Sequence, residues 1–260
     1  MENIIKRVKY KKNPLAEVIY QLRFPTILSI NASEPVAFQE KVKESFPFYQ
    51  RLVNTNEINI NGVKQILGKE INYEFVTQDR GTKINMTSSF IAISSVKYER
   101  WEYFRETAER VRKAFEEVYQ PQFYVRIGLR YKDVIDRQVL GLEKKGWTEL
   151  IQPHILGTIN TNNQDSLKQW IVNCEFSDIE SNVQTRQIFQ LSQKVGTNDL
   201  VVIFDCDYFL VDTIQKEKII DFSNQLHEKS STFIRSAITS TLHDAMDPVE
   251  LEPLDYDRRV

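Results

Sequence analysis

Cysteine is scarce in this sequence, and its scarcity excludes two kinds of stabilisation. The 260 residues include two cysteines, Cys174 and Cys206, and both fall inside runs that read as β-strands. A structural zinc site needs four closely spaced cysteine or histidine ligands, and a disulfide framework needs several cysteine pairs. We therefore expect neither of these, and we predict two reduced thiols that are largely buried and behave as small apolar groups.

Glycine and histidine are also rare, which removes most of the common catalytic signatures. The eight glycines do not form a GxGxxG or GxxxxGK[ST] loop, the two spacings that cradle phosphate groups. The three histidines, His154, His227 and His243, accompany no nucleophile motif. The residues do not decide whether the protein is an enzyme, but they favour a non-enzymatic protein without a cofactor.

Neither sign of charge dominates, and no long apolar run is present. The chain has 34 Lys and Arg against 36 Asp and Glu, a formal net charge of −2. This balance argues against a general nucleic-acid or anionic-membrane surface. Hydrophobic residues make up 41% of the chain, enough for a sizeable core, yet no stretch approaches the ~18 apolar residues of a membrane span. The basic start, 1–12, lacks the apolar segment of a secretion signal, so we expect a soluble cytoplasmic protein.

Hydrophobic periodicity predicts an α+β protein with an extensive antiparallel sheet and long helices packed on one of its faces. Strands are predicted at Leu15–Phe24, Glu57–Ile60, Val63–Leu67, Ile71–Thr77, Lys83–Thr87, Phe90–Tyr98, Phe123–Asp136, His154–Asn160, Leu167–Phe176, Gln184–Gln193 and Leu200–Phe209. Helices are predicted at Ser33–Phe46, Trp101–Tyr119, Trp147–Ile151 and Lys216–Ala245. The dipeptide Asn61-Gly62 is a strong hairpin signal between two of these strands.

The order of these elements repeats along the chain. Residues 1–120 and 121–246 each read as strand, helix, several antiparallel strands and a long helix, and 247–260 read as an acidic extended tail. Two pseudo-symmetric β-α-β(4)-α halves are one interpretation, and a sheet without internal symmetry is the other. The order resembles the TATA-binding-protein-like and helix-grip arrangements, and such a likeness concerns the fold and not the function.

Three segments resemble a family of sporadically distributed bacterial proteins of about this size. They are 13–18 running on to 22–25, the RxGLRY-like strand Arg126–Tyr131, and the late helix 233–239. The chain departs from the family at Lys132, where asparagine is frequent. The resemblance covers most of the chain and implies no particular activity. The patchy distribution of the family implies a mobile or defence-associated gene neighbourhood.

The polar face of the two opening strands is the first candidate binding site. Glu17 and Arg23 lie on one face of the first strand, and Arg126 and Arg130 share a face of the strand that opens the second half. If these strands are neighbours, Glu17 is expected to pair with Arg126 or Arg130. Such a ladder is either purely structural, or a guanidinium pair that recognises a carboxylate or phosphate.

A metal site is the weaker alternative. Asp205 and Asp207 stand two apart on one strand face, and Glu175 on another strand could join them to hold Mg²⁺ or Mn²⁺. Apolar residues share that face, which favours solvated or ion-paired carboxylates. We therefore expect no metal at these three residues.

Three functions remain open at the level of the sequence. The first is a binding or scaffold protein that acts with a protein partner or as a homo-oligomer. The second, less favoured, is nucleic-acid binding through the sheet face or through the basic run from Lys6 to Lys12, and no membrane contact is expected. The third is a helix-grip binder or enzyme for a small ligand, which needs a cavity between sheet and helix. Surface potential separates the first two: a continuous positive face favours nucleic acid, and a neutral, partly apolar face favours a protein.

Overall fold

The computed structural model describes residues 7–60, 63–157, 167 and 169–252. Its strands are β1 (Val8–Tyr10), β2 (Leu15–Arg23), β3 (Phe48–Ile60), β4 (Val63–Val76), β5 (Thr82–Met86), β6 (Phe90–Ser95), β7 (Tyr124–Ile135), β8 (Ile171–Ser177), β9 (Gln184–Gln193), β10 (Leu200–Ile214) and β11 (Pro248–Glu250). Its helices are α1 (Ser29–Ala32), α2 (Val36–Val42), α3 (Trp101–Tyr119), α4 (Arg137–Leu140), α5 (Pro153–Leu156), α6 (Ile219–Ala237) and α7 (Ser240–Ala245), with 3₁₀ turns at Trp147–Glu149 and Lys216–Lys218. The protein therefore has an α+β fold, as the sequence predicts.

Nine of the strands form one antiparallel sheet. Their order is β3-β4-β5-β6-β2-β7-β10-β9-β8, so the opening strands of the two predicted halves, β2 and β7, lie side by side at the centre. The two strands pair from Leu15 opposite Asp133 to Arg23 opposite Arg126, with one irregularity near Glu17. The two opening strands are therefore neighbours, which is the condition set for the predicted pairing of Glu17.

The two long helices cover one face of this sheet. Tyr20 on β2 and Tyr131 on β7 belong to that face, and their hydroxyls meet Ser223 and His227 on α6. The ring of Trp101, the first residue of α3, stacks on the His227 imidazole with 4.6 Å between ring centres. Alternation of side chains along the strands leaves the other face, called the open face below, for residues such as Gln21, Arg126 and Asp207.

Several predicted elements have different bounds in the structure. Helix α3 matches its prediction, because its apolar residues keep a regular helical spacing. The segment from Lys216 to Ala245 is not one helix, since Ile238 adopts an extended backbone and Thr239 caps a separate α7. The predicted strand at His154–Asn160 is wrong over its first residues, where Pro153 opens the short helix α5. Its end at 158–160 and the turn at 61–62 lie outside the described residues.

The start of the described chain is bound to its end. Strand β1 pairs with β11, with Lys9 opposite Val249, although 247–260 is predicted as an extended tail. The basic run at the start is partly neutralised there: Arg7 pairs with Glu102 at 2.6 Å and Lys11 with Asp247 at 3.0 Å. Arg7 and Lys11 of the basic run therefore form ion pairs within the protein.

Candidate binding site on the open sheet face

Arg126 occupies the centre of the open face and depends on a glycine two residues later. Its guanidinium lies over Gly128, where an added Cβ would come within 2.3 Å of Nη1. On the neighbouring strand β10, Phe209 stands opposite Gly128 and lies under the guanidinium, 4.5 Å from Cζ to the ring centre. Because glycine has no side chain, the flat cation fits between backbone and ring. The glycine of the RxG sequence thus leaves the space that the guanidinium of Arg126 occupies.

Two polar partners hold the guanidinium of Arg126 in this position. Nη2 donates to Oδ2 of Asp207 at 2.7 Å, and Nη1 donates to Oε1 of Gln21 at 3.1 Å. Burial lowers the pKa of the Arg126 guanidinium, the charge of Asp207 opposes this, and the charge of Arg23 adds to the lowering. Arginine remains charged at neutral pH. The lowered pKa indicates that the partners of Arg126 do not fully offset the cost of burying this cation.

Arg23 shares a partner with Arg126 but has no carboxylate. The two arginines stand directly opposite each other on β2 and β7. Nε of Arg23 donates to Oε1 of Gln21 at 3.1 Å, the same oxygen that Arg126 uses. Arg23 is exposed and makes no ion pair with any residue that the structure describes. Two cations therefore converge on one neutral amide oxygen.

Arg130 is in a more balanced setting. Nε and Nη2 donate to Oδ1 and Oδ2 of Asp205, both at 2.5 Å, in a bidentate pair. This hydrogen bonding raises the pKa of Arg130. The Arg130 side chain is 45% exposed and that of Asp205 15%. The pair is neutral, and it lies at the surface of the open face.

The predicted pairing of Glu17 with Arg126 or Arg130 is wrong. Glu17 lies opposite Lys132, and the two arginines bind Asp207 and Asp205 instead. The reason is the position of β10, which flanks β7 on the side away from β2 and brings its own carboxylates to both arginines. The charge of Glu17 still contributes to raising the pKa of Arg130.

The three carboxylates of the metal alternative do not converge. Glu175 on β8 and Asp207 on β10 both lie opposite Arg186 of the intervening strand β9, so a guanidinium separates them. Glu175 is 74% exposed and lies 3.6 Å from Arg186. Within the described part of the chain, no group of three His, Cys, Asp or Glu residues is placed to hold a metal ion.

Asp133 is a residue of interest that belongs to none of the sequence motifs described above. It follows Tyr131 on the helix-covered face of β7, is half-buried, and makes no hydrogen bond or ion pair with a described residue. Burial raises the pKa of its carboxyl group to about 7. A signal was present in the sequence, because alternation from Leu129 through Tyr131 to Ile135 places Asp133 in an otherwise apolar row.

Polar and aromatic side chains meet at the interface between α6 and the sheet, the place where a helix-grip ligand would be expected. The Tyr131 hydroxyl and His227 Nδ1 are 2.9 Å apart, and Nε1 of Trp101 donates to Oδ1 of Asn224 at 3.0 Å. Burial lowers the pKa of His227 to about 3, so its imidazole is neutral. These residues therefore connect α6 and α3 to the sheet.

The two cysteines differ in exposure. Cys206 is buried, as predicted, and burial raises the pKa of its thiol. Cys174 on β8 is only half-buried, so the prediction for this residue is wrong in degree. Both are free thiols.

Neither a scan against protein-family models nor a search of curated proteins gives a match to this chain. The family resemblance of the three segments therefore stays a prediction. Separately, no helix in the described ranges is both long and apolar enough to span a membrane.

Proposed function

We propose that this protein is a non-enzymatic binding protein that holds a protein partner on the open face of its sheet. The observation that carries the proposal is the arrangement on β2, β7 and β10, where Arg23 and Arg126 converge on Gln21 and only Arg126 has a carboxylate. A charged group that is fixed in position and left without its counter-charge is a common feature of recognition sites.

The neighbouring surface favours a protein over a nucleic acid. The middle of the face is not a continuous positive surface, because Asp207 pairs with Arg126 and Asp205 pairs with Arg130. Phe209 is covered by Arg126, so its ring is not free to stack on a base. At the edge of the patch Val211, opposite Arg126, is 51% exposed. Mixed charge beside apolar surface is the character of a protein interface.

We infer further that the two halves are pseudo-symmetric. Support comes from the strand order, in which β2 is followed outward by β6, β5, β4 and β3, and β7 is followed outward by β10, β9 and β8. A long helix ends each half in sequence, α3 in the first and α6 in the second. In this arrangement the open-face site lies on the pseudo-twofold axis, between the two opening strands.

The test is affinity purification from the native host with a matched pair of variants. Val211→Lys places a long cation on the exposed edge of the open face. Val36→Lys makes the same change at a 59% exposed position on α2, on the helix side. We expect one protein to be captured equally by the natural chain and by Val36→Lys, and at least tenfold less by Val211→Lys.

Two results would contradict the proposal. In the first, both variants capture the same proteins in the same amounts. In the second, a labelled duplex or single-stranded oligonucleotide binds the purified protein and Val211→Lys changes its affinity. The second result would move the nucleic-acid function ahead of the protein partner.

A further inference from the structure

Arg23 and Arg126 form an unusual pair, because like charges stand directly opposite each other on adjacent strands. Such a pairing destabilises a sheet. Their guanidinium groups nevertheless both point toward Gln21, and both donate to its Oε1 at 3.1 Å. The arrangement therefore keeps two cations close together at a cost to stability.

We infer that Arg23 and Arg126 form a subsite for a single carboxylate group, supplied by an acidic side chain or chain end of the partner. This inference rests on the proposed function and names the chemistry by which the partner is recognised. A carboxylate placed between the guanidinium groups accepts hydrogen bonds from both and replaces Gln21 as the acceptor for Arg23. Arginine is suited to this role, since its planar fork presents two parallel donors.

The charge count of the site matches one carboxylate. Arg23 and Arg126 contribute two positive charges and Asp207 one negative charge, so the set has a net charge of +1. A carboxylate carries one negative charge and neutralises the set. A phosphate with two negative charges would leave the set with a net charge of −1. The charge of the set therefore favours one carboxylate over a more highly charged anion.

Gly128 provides the positional element of the subsite. The guanidinium of Arg126 lies close to the Gly128 backbone and over the Phe209 ring, and these contacts hold it in one position. An alanine at position 128 would put Cβ 2.3 Å from Nη1 and 2.8 Å from Cζ. Because these atoms are at the end of a flexible side chain, the guanidinium would move and the fold would remain.

The experiment observes the arginine side chains of the full chain directly. The Nε–H resonances of Arg23, Arg126 and Arg130 are followed by ¹⁵N NMR during titration with N-acetyl-glutamate amide. Parallel titrations use inorganic phosphate and sodium chloride at matched ionic strength. We expect saturable shifts of Arg23 and Arg126 with the carboxylate probe, and no saturable shift of Arg130, whose donors already bind Asp205.

Two variants separate charge from geometry. Arg23→Gln removes an exposed cation, and Gly128→Ala keeps both arginines but displaces one. We expect the Kd of the probe to rise at least fivefold in each variant, with melting temperature confirming that each is folded. An unchanged Kd in both folded variants, an equal response to chloride, or tighter binding of phosphate would overturn the inference.

The outcomes also distinguish the subsite from the wider proposal. If Val211→Lys abolishes capture of the partner while the carboxylate probe gives no saturable shift, the open face binds a protein and the subsite is wrong. If the probe binds and Val211→Lys leaves capture unchanged, the proposed docking face is wrong instead.

Discussion

Tyr131 on β7 and His227 on α6 are joined by a hydrogen bond of 2.9 Å between the phenol oxygen and Nδ1. The bond connects the longest helix of the second half to the centre of the sheet. Trp101 of α3 stacks on the ring of the same imidazole with an interplanar angle of 10°. One neutral side chain thus links both long helices and the central strand, and its protonation state should matter for stability.

Acid should destabilise the protein through His227. The pKa of this imidazole is about 3 in the folded protein and 6.5 in the unfolded chain, so the unfolded state binds the proton first as pH falls below 6.5. We expect the free energy of unfolding to fall by about 2–3 kcal/mol between pH 6.5 and pH 4 on this account. Urea unfolding across this range measures it, and His227→Phe should flatten the slope. A steep His227 NMR titration near pH 6.5 would contradict the prediction.

Asp133 should act in the opposite direction. Its pKa is about 7 in the folded protein against 3.8 in the unfolded chain, so stability is fully present below pH 4 and is lost as pH rises toward 7. Its partial exposure reduces the effect, and we expect a loss on the order of 2–4 kcal/mol. Asp133→Asn should remove this dependence and be more stable than the natural chain at pH 8. Parallel pH profiles for the two proteins would show no difference if the carboxyl titrates normally.

Arg126 and Arg130 should differ in their contributions to stability. The side chain of Arg126 is 16% exposed, and Arg126→Ala would leave Asp207 without its partner, at a cost of about 1–3 kcal/mol. Arg130 is 45% exposed, and Arg130→Ala should cost less than about 1 kcal/mol. Chemical denaturation of both variants measures the difference. Equal losses would show that exposure does not separate the two pairs.

The two thiols should react at different rates. A maleimide reagent should modify half-buried Cys174 in the native protein and leave buried Cys206 unmodified over the same interval. Burial raises the pKa of the Cys206 thiol, so little of the reactive thiolate forms there. Mass spectrometry of the natural chain and of Cys174→Ser gives the sites. Rapid modification of Cys174→Ser without denaturant is the contrary result.

The fold was predictable where local pattern decides the structure. Helix α3 follows from the spacing of Trp101, Phe104, Ala108, Val111 and Phe115, and β2 and β7 follow from alternation between two environments. The break after α6 was not predictable in this way. Thr239 donates from Oγ1 to the carbonyl oxygen of Glu149, 90 residues away. The same side chain accepts a hydrogen bond from the backbone N–H of Leu242 and so caps α7. A contact between residues so far apart in the sequence cannot be recognised from the local spacing of apolar and polar residues.

The candidate site was predictable in its residues and not in its pairing. Arg23, Arg126 and Arg130 stand out because charged residues alternate with apolar ones on the two strands that open the predicted halves. The partner of each arginine depends on which strand flanks β7 on its other side, and β10 is about 70 residues further along the chain. The role of Gly128 likewise appears only when the path of the Arg126 side chain is known.

The ladder between β1 and β11 has a consequence for the order of folding. Its paired residues, such as Val8 and Glu250, are about 240 positions apart, and each strand contributes three residues. Closing so long a loop costs conformational entropy that three residue pairs repay only when the intervening sheet is already in place. The ladder should therefore form last and open first. In native-state hydrogen exchange its amides, including the one that Leu251 donates to Arg7, should lose protection well before those of β7.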